Sequence, residues 1–170
     1  MTERTGMIHY YFGSGKGKTS AAAGACIRAM GQGMRCLAVQ FHKDGSSGEM
    51  AAMRALGAEV RACHGGVKFF RKMNGQERQE LKREHDLNLR AAIGSDAEII
   101  MLDELGDAVK NGAADMELVE KVLEKRGCEL IITGHGAVEP FMERADYLTE
   151  FGCLKHPYKN GIKARRGIEW

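Results

Sequence analysis

The sequence predicts an α/β chain in which a mostly parallel sheet is flanked by helices, and three observations predict it. Apolar runs of strand length alternate with segments of helical period from one end of the chain to the other. Runs such as Cys36-Leu37-Ala38-Val39-Gln40-Phe41 are apolar almost without a break, as strands buried on both faces of a parallel sheet are. The first run, Met7 to Phe12, leads into Gly13-Ser14-Gly15-Lys16-Gly17-Lys18-Thr19 and then an alanine-rich segment, so strand, glycine loop and helix follow one another. With 170 residues the chain fits one unit of the phosphate-loop, RecA-like type, and a domain of that size buries roughly 70% of its unfolded surface. Parallel crossovers within it are expected to be right-handed.

Taken in order, the helix after the loop is expected over about Thr19 to Gly31, apolar nearly all round and therefore packed on the sheet, with Gly31-Gln32-Gly33 as its stop. The strand Cys36 to Phe41 comes next, then a polar loop from His42 to Gly48, a short helix from about Glu49 to Leu56 and a weakly alternating third strand, Glu59 to Cys63. From His64 to Asn74, glycines and the pair Phe69-Phe70 stand among Lys68, Arg71 and Lys72; this is either a ligand-facing loop or a loop tucking two rings into the core. Gln76 to Ile93 is a charge-rich helix on the spacing of Leu81, His85, Leu89 and Ala92, its charges a solvated face. Ala97 to Leu102 is a buried strand, Met116 to Arg126 an amphipathic helix, and Glu129 to Thr133 a strand. A short helix from Glu139 to Ala145 carries Pro140 in its first turn, and Tyr147 to Phe151 is the last strand. Residues 152–170 show no period but are dense in lysine and arginine: either a solvated, partly mobile tail or, since Pro157-Tyr158 and Ile168-Glu169-Trp170 would gain by docking, a basic segment expected to dock at the active site.

The loop carries the chemistry. Glycines turn backbone N–H groups inward around a polyphosphate, and the helix start behind them adds unpaired N–H groups and a positive dipole end. Lys18 can reach the terminal phosphates and the Thr19 hydroxyl can ligate Mg²⁺. The usual pattern has four residues between the first glycine and Gly-Lys-Thr, whereas Gly13 and Gly17 enclose three, so the loop is one residue short and the phosphates must lie differently. Asp103-Glu104 ends a strand expected to neighbour the loop, where an acid would hold the metal; the alternative is a turn cap. Thr133-Gly134-His135-Gly136 faces the same crevice, with His135 either a phosphate contact or a loop histidine.

Composition narrows the partners. A formal net charge of +2, from 25 basic and 23 acidic residues, makes no electrostatic case for nucleic acid or an anionic membrane. Cys26, Cys36, Cys63, Cys128 and Cys153 form no C-x-x-C pair and read as reduced thiols of a soluble, cytoplasmic protein, with no disulfide framework or zinc site. Met1 to Gly6 is too short and polar for a signal peptide, and no apolar run reaches membrane-spanning length.

The short loop combines with Val39-Gln40-Phe41, Lys43 and Gly48-Glu49, then Leu102-Asp103-Glu104, Ile132-Thr133-Gly134, Ala145-Asp146 and Thr149-Glu150. Lys155-His156-Pro157, Gly161-Ile162-Lys163-Ala164 and Gly167-Ile168-Glu169 complete a series that resembles the ATP:corrinoid adenosyltransferases of the phosphate-loop type, from Met7 to Trp170 in the right order. The resemblance implies transfer of the 5′-deoxyadenosyl group of ATP to the Co(I) of a reduced corrinoid with release of triphosphate. It implies Mg²⁺ or Mn²⁺ held by Thr19 and Glu104. The triphosphate would lie on Gly13, Ser14, Gly15, Lys16, Gly17, Lys18, Thr19 and Ser20, with Lys18 and Lys16 acting on the leaving group and His135 where the family usually has Arg.

Family members place a Phe and a Trp on the corrinoid face; Val67 and Phe69 stand there here, which makes Phe69, with Phe70 beside it, the candidate apolar wedge. The N-terminal arm of longer members is nearly absent, a homodimer is implied, and a reductase would supply the electrons for Co(I). Two readings compete on the loop alone: a kinase or NTPase releasing ADP, which the short loop disfavours, and an ATP-binding switch without chemistry.

Overall fold

The computed structural model describes residues 6–64, 68–125 and 127–168. Val67, Arg126 and the Glu169-Trp170 end of the tail, all named above, lie outside the described residues. Six strands, β1 (Ile8–Phe12), β2 (Cys36–Gln40), β3 (Glu59–Arg61), β4 (Ile99–Asp103), β5 (Glu129–Thr133) and β6 (Tyr147–Glu150), form one sheet in the order β3-β2-β4-β5-β1-β6. Every pairing is parallel. The helices are α1 (Lys18–Met30), α2 (Gly48–Ala55), α3 (Gly75–Gly94), α4 (Leu105–Lys110), α5 (Met116–Leu123) and α6 (Glu139–Arg144).

The period-2 pleat splits each central strand between two cores. Cys36, Ala38, Ile99, Met101 and Ile131 face α1 and α2, meeting Ala22, Ala23, Cys26, Met50 and Met53. Leu37, Val39, Ile100, Leu102, Leu130 and Ile132 face the other way, onto Leu89, Leu105, Val119, Val122, Leu123 and Phe141. Being covered on both faces is why these strands read as unbroken apolar runs. Helix α1 is less buried than its composition suggests: one face packs on the sheet, while Ile27 is exposed.

Local chemistry explains the boundaries that differ from expectation. β3 stops at Arg61 because Cys63 leaves the ladder and donates its N–H to the Lys43 carbonyl at 2.9 Å. Helix α3 begins at Gly75 because Asn74 and Glu77 form a reciprocal capping box, each side chain accepting the other's N–H at 2.9 Å. Helix α5 ends at Leu123 rather than Arg126: the chain tightens, and Lys125 reaches the carbonyls of Ile93 and Ser95 at 3.0 and 2.7 Å, closing the end of α3. Helix α4 was not expected from the sequence. It has six residues, contains Gly106, and starts from Glu104 in the left-handed region at φ 61°. No helix among the described residues is long and apolar enough to cross a membrane. All five cysteines are free thiols, four of them buried.

Candidate active site

Because all six strands run the same way, the loops after them gather at one edge of the sheet. There the chain encloses a cavity of about 830 Å³ lined by Ser14 to Ser20, Gln40, Lys43, Glu104, Thr133 and His135, with His156, Gly167 and Ile168 of the tail.

The glycine loop is built by close approach. Gly13 and Gly17 both sit at φ 110°, closed to most side chains. The Gly15 N–H donates to the Phe151 carbonyl at 2.6 Å, and a methyl carbon on Gly15 would stand 2.7 Å from that same oxygen. The loop is thus seated on the backbone that leaves β6. Helix α1 starts at Lys18 without a side-chain cap and without an acid in its first turn, so its leading N–H groups are free to meet an anion. Lys18 is buried, with its ammonium on the Gly15 carbonyl at 2.8 Å. Burial lowers its pKa, against the opposing pull of Asp107, Glu104 and Asp103.

The end of the acid strand β4 neighbours the loop as expected, although β5 lies between β4 and β1 in the sheet. Contact is made because α1 crosses over the sheet toward β4, which carries Thr19 to the end of that strand. Asp103, fully buried, is the hub: Oδ1 accepts from the hydroxyls of Thr19 and Thr133, both at 2.8 Å. Its Oδ2 accepts from Gln40 Nε2 at 3.1 Å and Lys43 Nζ at 2.9 Å. Thr133 Oγ1 in turn accepts the Glu104 N–H at 2.8 Å, which holds Glu104 in its left-handed backbone and presents its carboxylate to the cavity. Lys43 Nζ lies 3.1 Å from Glu104 Oε1. Burial by itself would lower the Lys43 pKa, but Asp103 and Glu104 together push it above the ordinary lysine value. Burial raises the Glu104 carboxyl, with Asp103 adding to the rise and Lys43 opposing it.

On the rim, His135 receives Asp107: Nδ1 is 3.0 Å from Oδ2, and the His135 N–H donates to the same oxygen at 3.2 Å. That hydrogen bond raises the imidazole pKa. Burial would raise the Asp107 carboxyl, but His135 outweighs it and holds it low. His42, at φ 58°, donates its N–H to His85 Nε2 at 3.0 Å. His85 is fully buried and uses Nδ1–H on the Ala113 carbonyl at 2.8 Å, so it is the neutral Nδ1–H tautomer, and burial depresses its pKa to about 4.

The structure therefore brings Ser14, Gly15, Lys16, Gly17, Lys18, Thr19, Ser20, Glu104 and His135 to one cavity, with Gly13 beneath the loop. It does not bring Phe69 there: that ring is 80% exposed, with Lys72 over it at 5.9 Å, and is not part of the cavity wall. Phe70 is nearer, edge-on to His42 at 5.7 Å. In the tail, Tyr158 and Ile168 remain exposed, although Ile168 borders the cavity. Sequence reasoning missed Asp103 as the hub and the parts of Gln40, Asp107 and Thr133; an acid ending a strand beside a Gln ending another was the available signal.

The donor set at the end of β4 suits a small hard cation: one hydroxyl, Thr19, and two carboxylates, Asp103 and Glu104, converge where a positive charge already sits. The sequence model of ATP:corrinoid adenosyltransferase BtuR/CobO/CobP matches residues 4–170. The chain belongs to the ATP:corrinoid adenosyltransferase family. It is 34% identical over 173 residues to the corrinoid adenosyltransferase of Pseudomonas aeruginosa, covering 99% of this chain and 85% of that protein. It is 30% identical to the corrinoid adenosyltransferase of Escherichia coli, covering 99% and 87%. The corrinoid adenosyltransferase of a Sinorhizobium species is 29% identical, covering 99% and 82%.

Proposed function

We propose that this member of the ATP:corrinoid adenosyltransferase family transfers the 5′-deoxyadenosyl group of ATP to the Co(I) of a reduced corrinoid and releases triphosphate. The family match across residues 4–170 carries the reading. The cobalt electron pair attacks the ribose C5′, the cobalt–carbon bond forms, the C5′–oxygen bond breaks, and its electrons leave with the triphosphate. The developing charge is on the leaving group, so rate is governed by how well preformed cationic groups meet it. Lys18 would exchange the Gly15 carbonyl for phosphate oxygens, Lys16 would add a second cation from the exposed loop, and the α1 N–H groups supply fixed dipoles. Thr19 and Glu104 would hold Mg²⁺, with Asp103 orienting the Thr19 hydroxyl. When bound, that ion neutralises the triphosphate as it departs. Protonated His135 adds positive charge at the rim.

The corrinoid would approach from the side of Phe69 and Phe70, with Phe69 as its apolar contact. Residues 152–170 are proposed to dock at the same site, which is supported by His156, Gly167 and Ile168 bordering the cavity. A homodimer working in the cytoplasm with a reductase as electron donor belongs to the same proposal. The test is an anaerobic reaction of ATP, Mg²⁺ and chemically reduced cob(I)alamin, followed by corrinoid absorption and phosphorus NMR. The expected result is a light-sensitive alkyl-cobalt spectrum with one equivalent of triphosphate. ADP and phosphate with an unchanged corrinoid would overturn it.

A further inference from the structure

We propose that Lys43 is a built-in stand-in for the divalent cation, holding the acidic end of β4 until metal enters with nucleotide and then turning to the polyphosphate. The second half of this rests on the adenosyl-transfer reading above; the first half does not.

β2 and β4 are neighbours in register, Gln40 opposite Asp103, and the Phe41 N–H donates to the Asp103 carbonyl at 2.9 Å. The chain then turns through His42 in the left-handed region, and the Lys43 carbonyl accepts the Cys63 N–H at 2.9 Å. Lys43 is thereby anchored beside the end of β4, and its stem reaches back so that Nζ lies 2.9 Å from Asp103 Oδ2 and 3.1 Å from Glu104 Oε1. Two carboxylates on successive residues, one fully buried and the other 22% exposed, repel each other unless a cation lies between them. Among the described residues, Lys43 is the cation that pairs with Glu104.

Of the three groups, Lys43 has the longest and most exposed side chain. Asp103 is held by Thr19, Thr133 and Gln40, and the Glu104 backbone is held by Thr133. The Lys43 side chain lines the cavity, is 31% exposed and carries a compact charge on a flexible stem. A divalent ion approaching Thr19, Asp103 and Glu104 meets this ammonium in its place. Metal arriving alone must displace the Lys43 ammonium from both carboxylates, whereas metal arriving with a triphosphate offers Lys43 new oxygens. Metal and nucleotide therefore enter together.

The experiment titrates Mn²⁺ alone into the full chain and reads free Mn²⁺ by its six-line EPR signal. Lys43→Met is expected to bind Mn²⁺ about ten-fold tighter than wild type, because a fixed positive charge is removed from the metal's position. Glu104→Gln in the Lys43→Met background should abolish that gain. Adding ATP without corrinoid should tighten Mn²⁺ on wild type more than on the variant. Should Lys43→Met fail to fold by circular dichroism, Lys43→Gln, which keeps a hydrogen-bonding head, makes the same comparison. Mn²⁺ binding to the variant that is equal to or weaker than wild type overturns the proposal. The metal titration contains neither nucleotide nor corrinoid, so its failure would leave the transfer reading standing. Conversely, failed transfer with the expected Mn²⁺ result would remove only the second half.

Discussion

At the scale of single residues, the proposed triphosphate leaving group sets the demands. Lys18 is buried on its own loop and loses part of its basicity to desolvation, so it is poised to trade a carbonyl for a phosphate. Lys18→Ala is expected to lower kcat by about a hundred- to a thousand-fold, the usual effect of losing one donor to transition-state charge. Steady-state kinetics on a variant with a native circular dichroism spectrum checks this, and undiminished activity would remove Lys18 from the mechanism. His135 differs in carrying a charge that depends on pH. Its hydrogen bond to Asp107 raises its pKa, so the cation is fully present below the ordinary histidine value and is lost as pH rises through the raised one. KM for ATP in wild type is expected to climb across that upper range, while His135→Arg, charged throughout, keeps it flat. Coincident pH profiles for the two proteins would contradict a phosphate-facing role. The loop lysines and Thr19 were legible because a phosphate loop is a local pattern. The hub at Asp103 was not, since its four donors come from α1, β2, β5 and the loop after β2.

Among elements, the unforeseen one is α4. Glu104 enters it at a positive φ, and Gly106 in its first turn comes so near Gly134 and Tyr10 that an added methyl carbon would lie 3.0 Å from Gly134 Cα and 2.7 Å from the Tyr10 hydroxyl. That hydroxyl cannot swing away freely, because it donates to the Gly136 carbonyl at 2.5 Å. Gly106→Ala is therefore expected to destabilise the protein by about 1–3 kcal/mol, the usual cost of overpacking a tight contact. Urea unfolding measures this, and an unchanged midpoint would show that the α4–β5 approach has slack. Other helix starts are fixed locally: Asn74 and Glu77 form a capping box, and Asp115 accepts the Glu117 N–H at 2.9 Å. The end of α5 was hidden because Lys125 is drawn to carbonyls that close a different helix.

For the molecule as a whole, one buried histidine links stability to acidity. His85 is neutral between His42 and Ala113, with its pKa depressed to about 4 by burial, against 6.5 in an unfolded chain. Between those values the unfolded chain binds the extra proton, so this part of the stability is complete above about pH 6.5 and is lost as pH falls toward 4. The shift from 6.5 to about 4 corresponds to about 3 kcal/mol. Urea midpoints across that window should fall with acid in wild type and fall less in His85→Phe; parallel curves would rule out His85 as the source. The same side chain holds the His42 N–H ahead of Lys43, so acid unfolding is expected to begin near the crevice.

By itself, the sequence determined the α/β class, the strands, the phosphate loop and the lysines and threonine it carries. Those follow from hydrophobic period and from glycine's freedom at positive φ, which act over a few residues. Only the tertiary structure decided the strand order, with β5 between the loop strand and the acid strand. It also decided the crossing of α1 that lets Thr19 meet Asp103, and the reach of Lys43 to both carboxylates. Hydrogen bonds and ion pairs between residues 60 to 84 positions apart depend on where the sheet sets each strand, and local periodicity carries no record of that.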